Sequence, residues 1–247
     1  MVKSLGLGYE KIDVCPKGCM LYYGPDELAD TCKFCNETRY KTVDSTKRSS
    51  KPRPKKTMRY FPLTGRLQRL YMSTATAKHM TWHRDVPRSD GVLSHPADGE
   101  AWKDLDEKYP LFAAEPRNVR LGLSSDGFSP FGQMARSYSC WSVIVTPYNL
   151  PSWMCMKTPY MFLTLIIPGP TSPKKNIDIY LQPLIDELKT LWEDGANTYD
   201  AYMKQNFQMK AALLWTINDF SAYGILSGWS THGRLGCPIC MEYTKAF

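Results

Sequence analysis

Two apolar runs that each stop at an aspartate constrain this chain more than any other feature in it. The stretch NVRLGLSSDGFSPFG, from Asn118 to Gly132, alternates Val119, Leu121 and Leu123 with Arg120, Gly122 and Ser124 and then meets Asp126. That period of two is the mark of a β-strand with two distinct faces. Further along, AALLWTI from Ala211 to Ile217 runs into Asn218-Asp219 and a glycine-punctuated stretch, FSAYGILSGW. If the two strands are neighbours in one sheet, their carboxylates converge at one edge, where they can share a divalent metal.

The elements between them decide whether they are neighbours. CWSVIVT (Cys140–Thr146) and YMFLTLII (Tyr160–Ile167) read as strands, separated by a proline-rich connection. Ile177, Leu181, Leu184, Ile185, Leu188, Leu191 and Trp192 then trace one helical face, closed by Gly195, with Pro183 either opening the regular part or kinking it. The order is therefore β, β, β, α, β. Three antiparallel strands, a crossover helix and a strand returning parallel beside the first give a ribonuclease H-like α/β arrangement, in which strands one and four are adjacent. Asp126 and Asp219 would face each other across one inter-strand spacing, about 5 Å. Singly, each has a plainer explanation: Asp126-Gly127 is a common turn pair, and Asp219 suits the cap of a following helix. Their pairing in this element order favours metal ligation, for which two-metal phosphoryl transfer normally needs a third acid.

Eight cysteines in 247 residues suggest a disulfide framework only until their spacing is read. Cys15 and Cys19 form one close pair, Cys32 and Cys35 a second, and twelve residues lie between the pairs. Two ligand pairs on tight turns, joined by a loop long enough to close a tetrahedron, make a four-cysteine zinc site. Pro16, Gly18, Gly24-Pro25 and Asn36 supply the turn chemistry. The zinc either folds a segment too short to fold alone or presents it to DNA. Cys237-Pro238-Ile239-Cys240 has the form of half a zinc site, with His232 upstream as a candidate third ligand, or else carries two free thiols on a turn. Cys140 and Cys155 stand alone and read as core residues.

The formal charge of +7 is local rather than general. Lys47, Arg48, Lys51, Arg53, Lys55, Lys56 and Arg59 fall in one window without an acid, and without these seven the chain balances at 24 of each sign. A neutral body with a basic strap fits a polyanion partner or an import signal; a solvated linker that happens to be basic fits the composition equally well. After it, LTGRLQRLYMSTATAKHM (Leu63–Met80) places Leu63, Leu67, Leu70 and Tyr71 at helical spacing. His79 and His83 could chelate a metal only if that helix continued through Trp82, and no nearby carboxylate or cysteine completes such a site. Asp98 is placed to cap a short helix, Gly99–Lys108, that buries Trp102 and Leu105. The expected organisation is a four-cysteine zinc-binding module over residues 1–41, a basic linker over 42–60, a helical extension over 61–117 and a partial ribonuclease H-like core over 118–247. No apolar leader opens the sequence and its longest apolar run is too short to span a bilayer, so the chain is expected to be soluble and intracellular, without a membrane partner.

The strings LGLSSDGFSPFG, CWSVIVTPYNLPSWMCMK, FLTLIIPGP, IDIYLQPLIDELKTLW and AALLWTINDFSAYGILSGWSTHGRLGCPIC, together with HPADGEAWKDLDEKYP and the Cys15–Cys35 module, closely resemble the plant CACTA (En/Spm-type) DNA transposases. The resemblance covers nearly the whole chain. It implies a DDE-type nuclease fold with Asp126 and Asp219 as Mg²⁺ or Mn²⁺ ligands, and Cys237 and Cys240 within the region of the second aspartate. It implies cleavage and joining of DNA strands at terminal inverted repeats, in the nucleus, alongside other transposase subunits. Ser221 departs from the family, whose members tend to carry proline there. The family also continues well past Phe247, where its last catalytic acid would lie. The chain is thus expected to be a truncated, catalytically incomplete transposase, the alternative being a non-catalytic remnant that binds DNA or protein.

Overall fold

The computed structural model describes residues 8–42, 52–87, 91–131, 138–230, 233, 235–237 and 240–243. In chain order its strands are β1 (Glu10–Val14), β2 (Leu21–Tyr22), β3 (Thr57–Tyr60), β4 (Val119–Phe128), β5 (Cys140–Pro147), β6 (Phe162–Ile167), β7 (Ala196–Asp200), β8 (Gln205–Met209) and β9 (Ala211–Ile217). Its helices are α1 (Thr64–Met72), α2 (Thr74–Ala77), α3 (Trp82–Asp85), α4 (Glu100–Lys108), α5 (Pro110–Ala113), α6 (Ser152–Cys155), α7 (Ile177–Glu193) and α8 (Phe220–Ser227). Among the described residues no helix is long and apolar enough to cross a membrane.

Seven strands form one mixed sheet in the order β2-β1-β3-β6-β5-β4-β9, while β7 and β8 make a separate hairpin. The strands β4, β5 and β6 run antiparallel in sequence. The chain then crosses through α7 and returns as β9, parallel to β4. This places the strand that carries Asp126 beside the strand that leads into Asp219, in the order expected from the hydrophobic pattern.

Alternation along the strands separates two faces. Leu121 and Leu123 of β4, Val143 and Val145 of β5, and Leu165 and Ile167 of β6 belong to one buried cluster with Ile177, Tyr180, Leu181, Leu184 and Leu191 of α7. Fully burying an aliphatic side chain of this size contributes about 2 kcal/mol, so this layer is the main source of stability. Pro183 lies buried inside the continuous 17-residue α7. The opposite face of β4 begins at Arg120, which is 1% exposed. Its guanidinium stacks 4.8 Å from Trp102 of α4 and 4.9 Å from Phe112 of α5, and bonds Asp106 at 2.5 Å. One arginine thus docks α4 and α5 against the near half of that face.

The structure departs from the sequence reading in five places. The apolar segment Leu63–Met80 is not one helix: Ser73 takes an extended conformation and divides α1 from α2, and the Thr76 hydroxyl donates to Leu70 O across the break. Residue 99 is the N-cap of α4, and Asp98 instead accepts the backbone N–H groups of Ser94 and His95 at 2.8 Å each. Residues 57–60, expected within a linker, form β3, which joins β1 to β6 and so builds the cysteine-bearing segment into the main sheet. The hairpin β7–β8 stands where a direct return to β9 was expected. Finally, Asp126-Gly127 is not a turn, because β4 continues to Phe128 against β5. Glycine suits that strand position because a Cβ there would meet the Trp141 ring at 2.8 Å.

Candidate functional site

The pairing of β9 with β4 ends at Ser124 and Ile217. The ladder is prolonged by a side chain: Asn218 Oδ1 accepts the Ser125 N–H at 3.0 Å. Continuing the register by two residues sets Asp219 opposite Asp126, on strands about 4.8 Å apart. Both line one shallow cavity of about 240 Å³ together with Ser124, Ser142 and Ile144.

That register depends on an irregularity. Leu121 pairs with Leu213, but Gly122 pairs with Trp215, so Leu214 is an extra residue in β9. Were Leu214 paired in regular register opposite Gly122, Asn218 rather than Asp219 would stand opposite Asp126. The bulge sits where the Tyr148 ring lies over Gly122, so close that a Cβ on residue 122 would meet it at 2.2 Å, and where Tyr148 stacks on Trp215 at 5.3 Å. Bulges commonly re-aim side chains beside functional sites. The roles of Asn218, Leu214 and the Gly122–Tyr148 contact were missed in the sequence. The one available signal was a glycine inside a strand pattern, which marks a bulge or a close approach.

Each aspartate has one oxygen engaged. Asp126 Oδ1 accepts the Gly127 N–H at 2.6 Å, and Asp219 Oδ1 accepts the Ala222 N–H at 2.6 Å as N-cap of α8. Their second oxygens carry no hydrogen bond among the described residues, and both residues are exposed at the sheet edge. Hard divalent cations such as Mg²⁺ take one or two protein carboxylates and complete their shell with water and phosphate oxygens, and this donor pair fits that pattern. Among the described residues no third acid, cysteine or histidine joins the pair. A larger cavity, about 670 Å³, lies away from this edge between Tyr109, Phe112 and Trp192 and holds neither aspartate.

The cysteines predicted to bind zinc do converge. The sulfur atoms of Cys15, Cys19, Cys32 and Cys35 all lie within 4.8 Å of one another, and those of Cys15 and Cys35 are 3.4 Å apart. A tetrahedron of Zn–S bonds near 2.3 Å requires sulfur separations of about 3.8 Å, inside this range, whereas a disulfide requires about 2.05 Å. The cluster can hold a structural metal such as zinc. Two tight turns present the ligands: Gly18 N–H donates to Cys15 O at 2.7 Å, and Asn36 N–H donates to Cys32 O at 2.9 Å. Burial pushes the Cys19 thiol up to about 12 and raises Cys15, while the backbone N–H of Glu37 lowers Cys35 to about 7. Four thiolates this close repel one another unless a cation compensates, which is what a bound metal ion does. Arg39 fixes the cluster to the sheet, pairing with Asp13 of β1 at 2.9 Å and bonding the carbonyls of Glu27 and Ala29.

The remaining candidates are scattered. The Cys240 N–H donates to Cys237 Sγ at 3.3 Å, and among the described residues this pair belongs to no group of three or more possible metal ligands; His232 lies outside them. His79 and His83 do not share a helix, and their rings contact Trp153 and Trp102 instead. Of the basic strap, Lys47, Arg48 and Lys51 lie outside the described residues. Lys55 meets Glu37 at 3.4 Å and Lys56 donates to the Tyr180 hydroxyl at 3.0 Å, so both help seat the cysteine module. Arg53 is exposed beside the Tyr40–Pro54 bridge, and Arg59 projects from β3 into solvent.

Fold and cysteines together define a mixed α/β protein built on a mixed sheet, with a four-cysteine cluster able to take a structural metal. The particular family follows from comparison with known ones: the model described as Transposase family tnp2 matches residues 90–247, and the chain belongs to that family. The matched span holds β4, β9 and both aspartates and begins after the four-cysteine module. No curated protein and no solved structure matches the chain.

Proposed function

We propose that the chain carries two of the metal-ligating carboxylates of a DDE-type DNA transposase core with a ribonuclease H-like fold. On this reading it acts in the nucleus on the terminal inverted repeats of a CACTA-type element, as its sequence resemblance to the plant En/Spm group implies. The observation that carries the proposal is the placement of Asp126 on β4 and of Asp219 two residues past the end of the adjacent parallel strand β9, both lining one cavity. The strand order around them and the transposase family match support it.

Asp126 and Asp219 would hold Mg²⁺ or Mn²⁺, which when bound supplies charge stabilisation to the attacking and leaving oxygens of phosphoryl transfer. The chain's own part is positional. The β4 strand holds Asp126 between two paired neighbours, the Asn218 side chain aligns the end of β9, and the α8 cap fixes the Asp219 rotamer. The cysteine cluster would hold Zn²⁺ in a structural role.

The absence of a third acid near the pair among the described residues favours a second reading, a non-catalytic transposase-family chain that binds DNA or protein. Incubation with duplex DNA and Mg²⁺ or Mn²⁺ separates the two. Nicking lost in both Asp126→Asn and Asp219→Asn supports the metal-dependent nuclease. Salt-sensitive binding without nicking, unaffected by either substitution, supports the second reading.

A further inference from the structure

Residues that pair across neighbouring strands share a face of the sheet. One such row crosses five strands here. Asp126 of β4 pairs with Ser142 of β5, Ser142 with Ile166 of β6, Ile166 with Arg59 of β3, and Arg59 with Lys11 of β1. Exposure agrees along its whole length: Asp126, Arg59 and Lys11 are exposed, and Ser142 and Ile166 are half-buried. The near half of this face is closed by the stack of Trp102 and Phe112 on Arg120, and the row runs beyond it from the carboxylate edge.

The far end of the row is cationic. Arg59 and Lys11 form no ion pair among the described residues, whereas the one carboxylate on the same face of β1, Asp13, is already taken by Arg39 and Thr57. Aromatic rings flank the cations: Tyr9 lies 5.9 Å from the Arg59 guanidinium and 5.6 Å from Phe61, and Arg66 stacks on Phe61 at 5.3 Å. Cations interleaved with aromatic rings suit a nucleic-acid strand, whose phosphates meet the former and whose bases meet the latter. With strands about 4.8 Å apart, Arg59 stands ~14 Å and Lys11 ~19 Å from Asp126. That span corresponds to about four to six nucleotide steps of 3.4 Å.

We infer that a DNA strand lies along this row, with its phosphates on Arg59 and Lys11 and its reacting end over Asp126. This rests on the transposase reading of the carboxylate edge. In the linear sequence Arg59 belongs to a basic strap; the register gives it a different neighbour, Lys11, which lies outside that strap.

The test is binding of a fluorescent duplex of about 30 base pairs to the full chain purified with zinc, titrated against salt in buffer without Mg²⁺ or Mn²⁺. Neutralising both cations, Lys11→Gln with Arg59→Gln, is expected to lower affinity by about tenfold and to reduce the slope of log affinity against log salt by about 2. A photoreactive benzophenone residue at Ile166 is expected to crosslink to the DNA, and the same residue at Tyr199 on the β7–β8 hairpin is not. If the unaltered chain binds DNA but the double variant keeps its salt slope and Ile166 does not crosslink, the surface is wrong and the carboxylate edge is untouched by the result. If the unaltered chain binds no DNA, the surface falls together with the reading on which it rests. Circular dichroism of the double variant separates loss of contact from loss of fold, and the Ile166 crosslink decides the question if that variant does not fold.

Discussion

Glu187, in the middle of α7, shows how much one side chain can organise. Its carboxylate accepts the Leu63 and Thr64 N–H groups at 2.8 and 2.7 Å, the Thr64 hydroxyl at 2.6 Å and the Tyr60 hydroxyl. It therefore caps α1 from a distant helix and ties β3 to α7 in place of a local capping residue, since the N-cap Leu63 offers no acceptor. Glu187→Ala leaves those donors without an acceptor and is expected to cost about 3 kcal/mol, read as a lower urea midpoint. Nothing in the sequence around residue 187 announces this, because the partner lies far away along the chain. The cysteine ligands were legible for the opposite reason: each pair sits within its own turn, so spacing alone identifies it. Asp126 was half legible. Its place on a strand showed in the alternation, but Asp-Gly normally signals a turn, and only the Trp141 ring packed on Gly127 explains why the strand continues.

At the scale of elements, the alternation of β4, β5 and β6 and the single apolar face of α7 were readable because each buries one side against the same core. The hairpin β7–β8 was not, since ANTYD and QNFQM hide only alternate residues, Thr198, Asp200, Phe207 and Met209, among polar neighbours. The pairings of β1 with β3 and of β3 with β6 are long-range and leave no local signature. The bulge in β9 offers the sharpest test at this scale. Inserting one alanine after Ile217 should undo the register that the bulge sets, bring Asn218 opposite Asp126 and abolish Mn²⁺ binding at the edge. Adding Asn218→Asp to the insertion should restore a carboxylate at that position, and with it binding within about tenfold of the original. Titration calorimetry with Mn²⁺ measures both. Equal binding by the insertion variant and the unaltered chain would show that the register does not set the site.

Across the whole molecule, the four-cysteine module is an extension of the sheet that carries the carboxylates, joined through β1 and β3 and seated on α7 by Lys56 and by Asn176, whose side chain donates to Gly18 O at 3.1 Å. Removing zinc from a module loaded with it should therefore loosen the β1–β3 edge, seen as faster proteolysis after treatment with a zinc chelator. Metal binding displaces thiol protons, and with Cys19 raised to about 12 and Cys35 lowered to about 7, protons compete more strongly as pH falls. Zinc affinity should accordingly drop between about pH 8 and pH 6, as a competing chromophoric chelator would report. The central claim concerns the other site, and the most direct measurement is anomalous diffraction from crystals of the full chain soaked in Mn²⁺. One peak within about 2.5 Å of a carboxylate oxygen of both Asp126 and Asp219 is the predicted result. Well-ordered aspartates with no manganese between them, at millimolar Mn²⁺ and with the β4–β9 register intact, would contradict it.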